Sequence, residues 1–327
     1  MRILLTERAA ADFGHRILDV APDATLVRML GDGALDDDGR PVAWEDAAVE
    51  VAWPTSDLFD GGPLRPFFAF LLRSETLRWV QSPAAGIDAP VFAQVVRRGV
   101  RLTNAHIADV AISEYVLRAV LDHYQRPEEW RAAQAAGAWR RHEFREVAGT
   151  TWLVVGIGSI GNAVAERARA FGARVVGVRR SPTGREAADL VVAPPALGEH
   201  LPTADVVVLA APGGPATERL VDAEFLARMK AGSVLVNIAR GSLVDEAALL
   251  TALDTGIPEA ALLDVTATEP LPPESRLWSH PRVVLTPHNA ATGTGRFERL
   301  AALFCENLAR YRAGEPLLNE VAEPDLP

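Results

Sequence analysis

Arg240, Glu269 and His288 each follow a short apolar run, and their side-chain types together suit the reduction of a 2-oxo acid. Arg240 comes after VLVNIA, Glu269 stands in DVTATEP and His288 in VVLTPHNAA. Such a reduction needs a cation to hold the substrate carboxylate, a proton donor for the carbonyl oxygen and a reduced nicotinamide facing the carbonyl carbon. A guanidinium binds a carboxylate through two parallel hydrogen bonds. Histidine titrates nearest neutrality, which makes His288 the natural acid for reduction and base for oxidation. Glu269 suits the group that orients its imidazole. His280 is the rival, but it precedes Pro281 ahead of the last apolar run, so it belongs at the opposite edge of a sheet from a residue that follows the run. His15, His106, His123, His142 and His200 show no metal-ligand spacing, and no metal is expected.

A sheet has to deliver these residues to one edge, and the segment Thr151 to Pro182 has the order of a dinucleotide site: strand, glycine turn, helix, second strand. The apolar run Trp152 to Val155 enters Gly156, Gly158 and Gly161, after which Ile160, Val164, Ala168 and Phe171 recur at helical spacing. The first glycine permits the tight turn, the second lets backbone approach a pyrophosphate, and the third lets the helix pack on the strand. The phosphates then meet the helix N-terminus, which Ser159 and Ile160 open. An acidic residue about 20 positions past the glycines would hold the ribose hydroxyls of NAD. Arg179 occupies that position, with Arg180 and Ser181 beside it. Guanidinium groups pair with phosphate in forked, charge-assisted bonds, so NADP is the expected cofactor and NAD the alternative.

Further strand-like runs, Asp205 to Leu209, Ser233 to Ile238, Ala260 to Val265 and Arg282 to Leu285, alternate with helical segments. That alternation predicts a doubly wound parallel sheet of Rossmann type, covered on both faces. Ligands bind such sheets beyond the carboxyl ends of the strands, which makes the ends of these runs, Ala211 and Ile238 among them, candidates for the cofactor site. The part before about Arg101 has short runs at Arg2 to Leu5, Val49 to Trp53, Leu77 to Gln81 and Val100 to Thr103, and predicts a smaller α/β domain. A helix is expected from about Asp109 to Tyr124, then a polar connection from Arg126 to Gly149, and a last helix from about Gly293 to Ala313.

With 327 residues the chain is long enough for two domains, and 49% hydrophobic and 23% charged residues argue for globular structure. A net charge of −10 argues against nucleic acid or an anionic membrane as a partner, since both need a basic face. The one cysteine, Cys305, falls in an apolar helical pattern and is expected to be a buried, inert thiol. No apolar run approaches membrane-spanning length, and the expectation is a cytoplasmic protein.

The segments GIGSIG, VNIARGSLVDE, LLDVTATEPLP and TPHNAA, in this order, resemble the D-isomer-specific 2-hydroxyacid dehydrogenases, glyoxylate and hydroxypyruvate reductases among them. The resemblance extends to WVQSPAAGIDA and RLTNAHIADVAISEYVL and so covers nearly the whole chain. It implies that Arg240 holds the substrate carboxylate, that His288 is the acid/base with Glu269 as partner, and that Asp264 contacts the nicotinamide carboxamide. Backbone amides around Ala85 and Gly86 would complete the carboxylate site. It also implies a flavodoxin-like substrate domain made of residues 1–101 and 289–327, with a dinucleotide-binding domain of residues 102–288 inserted in it, the active site between them, and a homodimer. The sequence departs from the family's pattern at His106, where a glycine is common, and at Ala211-Pro212-Gly213-Gly214, where a bulkier residue and a threonine are usual. The C-terminal-binding-protein corepressors resemble these enzymes as well, which makes a dinucleotide-sensing binding protein the alternative to a reductase.

Overall fold

The structure is a computed structural model and describes residues 1–58, 61–83, 85–86 and 89–321. The chain folds into two compact units, one of residues 1–107 and 294–327 and one of residues 108–293.

In the first unit the chain runs β1 (Arg2–Thr6), α1 (Glu7–Val20), β2 (Thr25–Met29), β3 (Leu35–Asp37), β4 (Arg40–Val42), β5 (Val51–Ala52), α2 (Leu64–Arg73), β6 (Trp79–Gln81), α3 (Pro90–Arg97) and β7 (Arg101–Thr103). The sheet order is β4-β3-β2-β1-β5-β6-β7. Its β2-β1-β5-β6-β7 portion is wholly parallel, with the strand order of flavodoxin-like folds. The remaining pair, β3 and β4, is an antiparallel hairpin turning at Asp38 and Gly39, both in the left-handed region. Successive residues of a strand face opposite sides of the sheet. Leu4, Val27, Ala52 and Val80 therefore pack with Phe67 and Val95 of α2 and α3, whereas Ile3, Leu5, Val51 and Trp79 pack on α1 and the C-terminal helix Arg296–Ala313. There Phe304, fully buried, stacks between Trp53 and Trp79 at centroid distances of 4.3 and 5.3 Å. Cys305 in the same helix is only half-buried, not fully buried as expected. Its thiol donates to the Arg16 carbonyl, and burial pushes its pKa up.

The second unit opens with α4 (Asp109–Gln125) and α5 (Pro127–Ala135). It continues through β8 (Thr151–Val155), α6 (Ser159–Ala170), β9 (Arg174–Val178), β10 (Leu190–Val192), α7 (Leu197–His200) and β11 (Val206–Leu209). The remaining elements are α8 (Ala223–Ala227), β12 (Val234–Asn237), α9 (Glu246–Thr255), β13 (Ala260–Leu263) and β14 (Val283–Leu285). All seven strands are parallel, in the order β10-β9-β8-β11-β12-β13-β14. Trp152, Val154, Val206, Val208 and Val236 pack on α4 and α6. Leu153, Val155, Val207, Leu209 and Leu235 face Leu197, Phe225, Leu226, Leu249 and Leu253 of α7, α8 and α9. This is the doubly wound sheet expected, apolar on both faces because both are covered. Its strand order reverses between β8 and β11, and the crevice for a ligand lies at that switch point.

The units divide at 107/108 and 293/294 rather than at 101/102 and 288/289. A break after Arg101 would cut β7 from its pairing with β6. Asn289 and Ala290 are held by Asp264 of the second unit through backbone N–H bonds of 2.8 and 2.9 Å. Among the described residues, no helix is long and apolar enough to cross a membrane.

Candidate active site

The glycine loop joins β8 to α6. Gly156 has φ +97°, and a Cβ there would lie 2.4 Å from the Ala211 nitrogen; at Gly161 it would lie 2.2 Å from the Gly156 oxygen. Both positions thus exclude a side chain because backbone passes too close. Gly158 differs, for it is exposed and nothing lies within 4 Å of where its Cβ would be. Glycine there serves space outside the protein fabric, and α6 begins at it with no side-chain cap. Uncapped first-turn N–H groups behind an open approach form a cradle for an anion, and a dinucleotide pyrophosphate fits it. Ser159 opens α6 with its hydroxyl donating to Asp109 Oδ2 at 3.1 Å, and Ile160 is half-buried behind it. Ala211, after β11, and Ile238, after β12, are buried at the same edge.

The loop is tied to the next strand, as Gly156 and Ile157 both donate backbone bonds to the Val178 carbonyl. Arg179 follows directly, and its Nη1 donates to the Ile157 oxygen at 3.2 Å. It also forms an ion pair of 3.4 Å with Glu186, a residue that the sequence reading did not single out. Arg180 and Ser181 are exposed.

The opposite half of the sheet carries the candidate catalytic side chains. Arg240 stands just past β12 in extended backbone, its Nη1 donating to the Ala239 carbonyl. Its stem passes Gly213, where a Cβ would lie 3.0 Å from Arg240 Cγ. Glu269 and His288 come from the loops after β13 and β14, and the fold brings them together, with His288 Nδ1 to Glu269 Oε2 at 2.8 Å. The other carboxylate oxygen of Glu269 accepts from the Thr266 backbone N–H. His280 lies before β14, 3.3 Å from Asp254, away from this pair.

His288 has φ +51°. A non-glycine residue in the left-handed region costs about 1–2 kcal/mol, and what offsets it is Asp264. The Asp264 carbonyl accepts the His288 N–H at 2.7 Å. Its carboxylate, 3% exposed, accepts from the Thr286 hydroxyl and from the N–H groups of Asn289 and Ala290. Tyr115 Oη adds a bond of 2.7 Å to Thr286. Asp264 thus clamps the histidine loop, a role that its expected contact with the nicotinamide did not disclose. Ala85 and Gly86 belong to the first unit, where the Ala85 carbonyl accepts from Asn104 Nδ2 at 3.0 Å.

Residues 117–290 match the family model described as D-isomer specific 2-hydroxyacid dehydrogenase, NAD binding domain. The glyoxylate reductase of Thermococcus kodakarensis is 35% identical over 272 residues, 80% of this chain and 77% of that protein. The chain spans about half the length of the D-3-phosphoglycerate dehydrogenases that it also matches, 47% of the Mycobacterium leprae protein at 35% identity. Among solved structures, a D-isomer specific 2-hydroxyacid dehydrogenase from Xanthobacter autotrophicus Py2, in complex with NADPH and MES, is 30% identical. The match covers 99% of this chain and 98% of that one, with a TM-score of 0.75. An NADPH-dependent glyoxylate/hydroxypyruvate reductase from Sinorhizobium meliloti, in complex with NADP and sulfate, is 25% identical with a TM-score of 0.73 over 99% and 98% of the two chains. With this sheet order, this glycine loop and these matches, the chain belongs to the D-isomer specific 2-hydroxyacid dehydrogenase family.

Proposed function

We propose that the chain is an NADP-preferring reductase that converts small 2-oxo acids, of the glyoxylate and hydroxypyruvate type, to D-2-hydroxy acids. The observation that carries this reading is the His288–Glu269 pair at the carboxyl edge of a dinucleotide-binding sheet. A bound reduced nicotinamide would supply the hydride. Glu269 accepts from Nδ1 and so fixes the ring, leaving Nε2 as the atom that gives its proton to the carbonyl oxygen. Arg240 holds the substrate carboxylate through its forked donors and thereby orients the carbonyl. On the nucleotide side, the first turn of α6 takes the pyrophosphate and Arg179 the 2′-phosphate. A glyoxylate reductase among the relatives, and two neighbours solved with NADPH or NADP, support the same choice of substrate and cofactor.

The test is a set of initial rates with glyoxylate, hydroxypyruvate, pyruvate and phenylpyruvate, each with NADPH and NADH. Turnover dominated by NADPH is the expected result. Dominance of NADH would retract the cofactor preference alone, and tight dinucleotide binding with no turnover on any acid would replace the reductase by a sensing protein.

The proposed assembly is a homodimer formed through the second unit. Trp139 is 97% exposed and Phe144 46%, beside the stacked Trp130 and His142 rings at 4.7 Å. Exposed tryptophan and phenylalanine on one arm are typical of the anchors that fill a partner's pocket. Sedimentation is expected to give twice the chain mass, and Trp139→Arg to shift it toward the monomer. A wild-type chain that sediments as a monomer would contradict the dimer.

A further inference from the structure

The segment between β9 and β10 carries a feature that cofactor binding by Arg179 does not need. Glu186 lies there with its side chain only 2% exposed, against 35% for Arg179. Its Oε1 accepts the Thr183 backbone N–H at 2.7 Å and the Thr183 hydroxyl at 2.8 Å, and pairs with Arg179 Nη1 at 3.4 Å. Hydrogen bonds from the backbone and then the side chain of Thr183 hold this carboxyl well below the usual range, at about 2. Its negative charge is therefore present throughout the neutral range. The same Nη1 donates to Ile157 in the glycine loop. One guanidinium nitrogen thus faces both the carboxylate and the glycine loop. A carboxylate at this place is an anion where an anion is to be received, and any phosphate that pairs with Arg179 shares it with Glu186.

We propose that Glu186 sets the cofactor selectivity of the nucleotide site. Its carboxylate competes with the 2′-phosphate of NADP for Arg179 and leaves NAD, which lacks that phosphate, unopposed. The inference rests on the reading of Arg179 as the 2′-phosphate residue. Glu186 makes the chain discriminate less between the two cofactors than Arg179 alone would impose. Freeing Arg179 from its carboxylate partner at this half-exposed site strengthens phosphate binding by about tenfold at low salt.

The experiment is calorimetric and needs no turnover: dissociation constants of 2′,5′-ADP and 5′-AMP for the wild-type chain, Glu186→Gln, Glu186→Ala, Arg179→Gln and the Arg179→Gln/Glu186→Gln double variant. Both Glu186 variants should tighten 2′,5′-ADP relative to AMP by about tenfold, with a smaller gain at high salt. Arg179→Gln should weaken 2′,5′-ADP, and in the double variant most of the gain should vanish, because the two residues act on one phosphate. Loss of affinity in Arg179→Gln without a gain in either Glu186 variant overturns the role of Glu186 and leaves Arg179 as read. An Arg179→Gln variant that binds 2′,5′-ADP like the wild type overturns both.

Discussion

Replacing His288 by alanine is expected to lower the turnover of 2-oxo acid reduction by about 10²–10⁴-fold, the usual contribution of a positioned general acid. The side chain is half-exposed and buries little, so the fold should survive its removal. The Asp264 carboxylate bonds that hold the loop end on Thr286, Asn289 and Ala290 rather than on the imidazole. Dinucleotide binding should stay near the wild-type level, which separates lost chemistry from lost structure. Glu269→Gln keeps a hydrogen-bond acceptor at Nδ1 but removes the charge, and is expected to fall between the wild type and His288→Ala. Near-native turnover in His288→Ala would remove His288 from the mechanism and reopen the search for the acid.

Arg240→Ala is expected to lower kcat/KM by about 100-fold, mainly through a raised KM. Each charge-assisted hydrogen bond contributes about 1.5–3 kcal/mol, two such bonds are lost, and water replaces part of the loss, leaving about 3 kcal/mol at 1.4 kcal/mol per tenfold. Arg240→Lys keeps the charge without the planar fork and should recover only part of it. Measured with glyoxylate and with a neutral aldehyde, the effect should be confined to the acid. Equal losses on both would mean that Arg240 holds up the β12 edge instead of binding a carboxylate.

The residues that were legible in the sequence are those whose role depends on position along a strand. Trp152 to Val155, the three glycines and the period of α6 mark the place of the candidate cofactor loop, and Arg240, Glu269 and His288 stand out because each follows an apolar strand of one parallel sheet. The residues that escaped act across the chain. Glu186 reads as one more charge in a polar loop until the fold turns Thr183 and Arg179 toward it. Asp264 announces itself at a strand end, but its bonds to Thr286, Asn289 and Ala290 depend on β13 and β14 being neighbours. Helix α5 lies within the expected polar connection, because Pro127 and its charged first turn resemble a linker, although proline at N1 is also a helix start. The β3–β4 hairpin had a local signal, Asp38-Gly39, in a stretch too acidic to read as strand. It forms as an edge where Asp36 pairs with Arg28 of β2.

The strand order also has a meaning for change over time. Arg179 follows β9 and His288 follows β14, five strand spacings apart in the sheet, or about 24 Å. Substitutions that far apart add nearly independently. The choice of electron donor can therefore drift, or be engineered, without retuning the proposed acid–base pair, and a new substrate can be adopted without renegotiating the metabolic pool from which electrons are drawn.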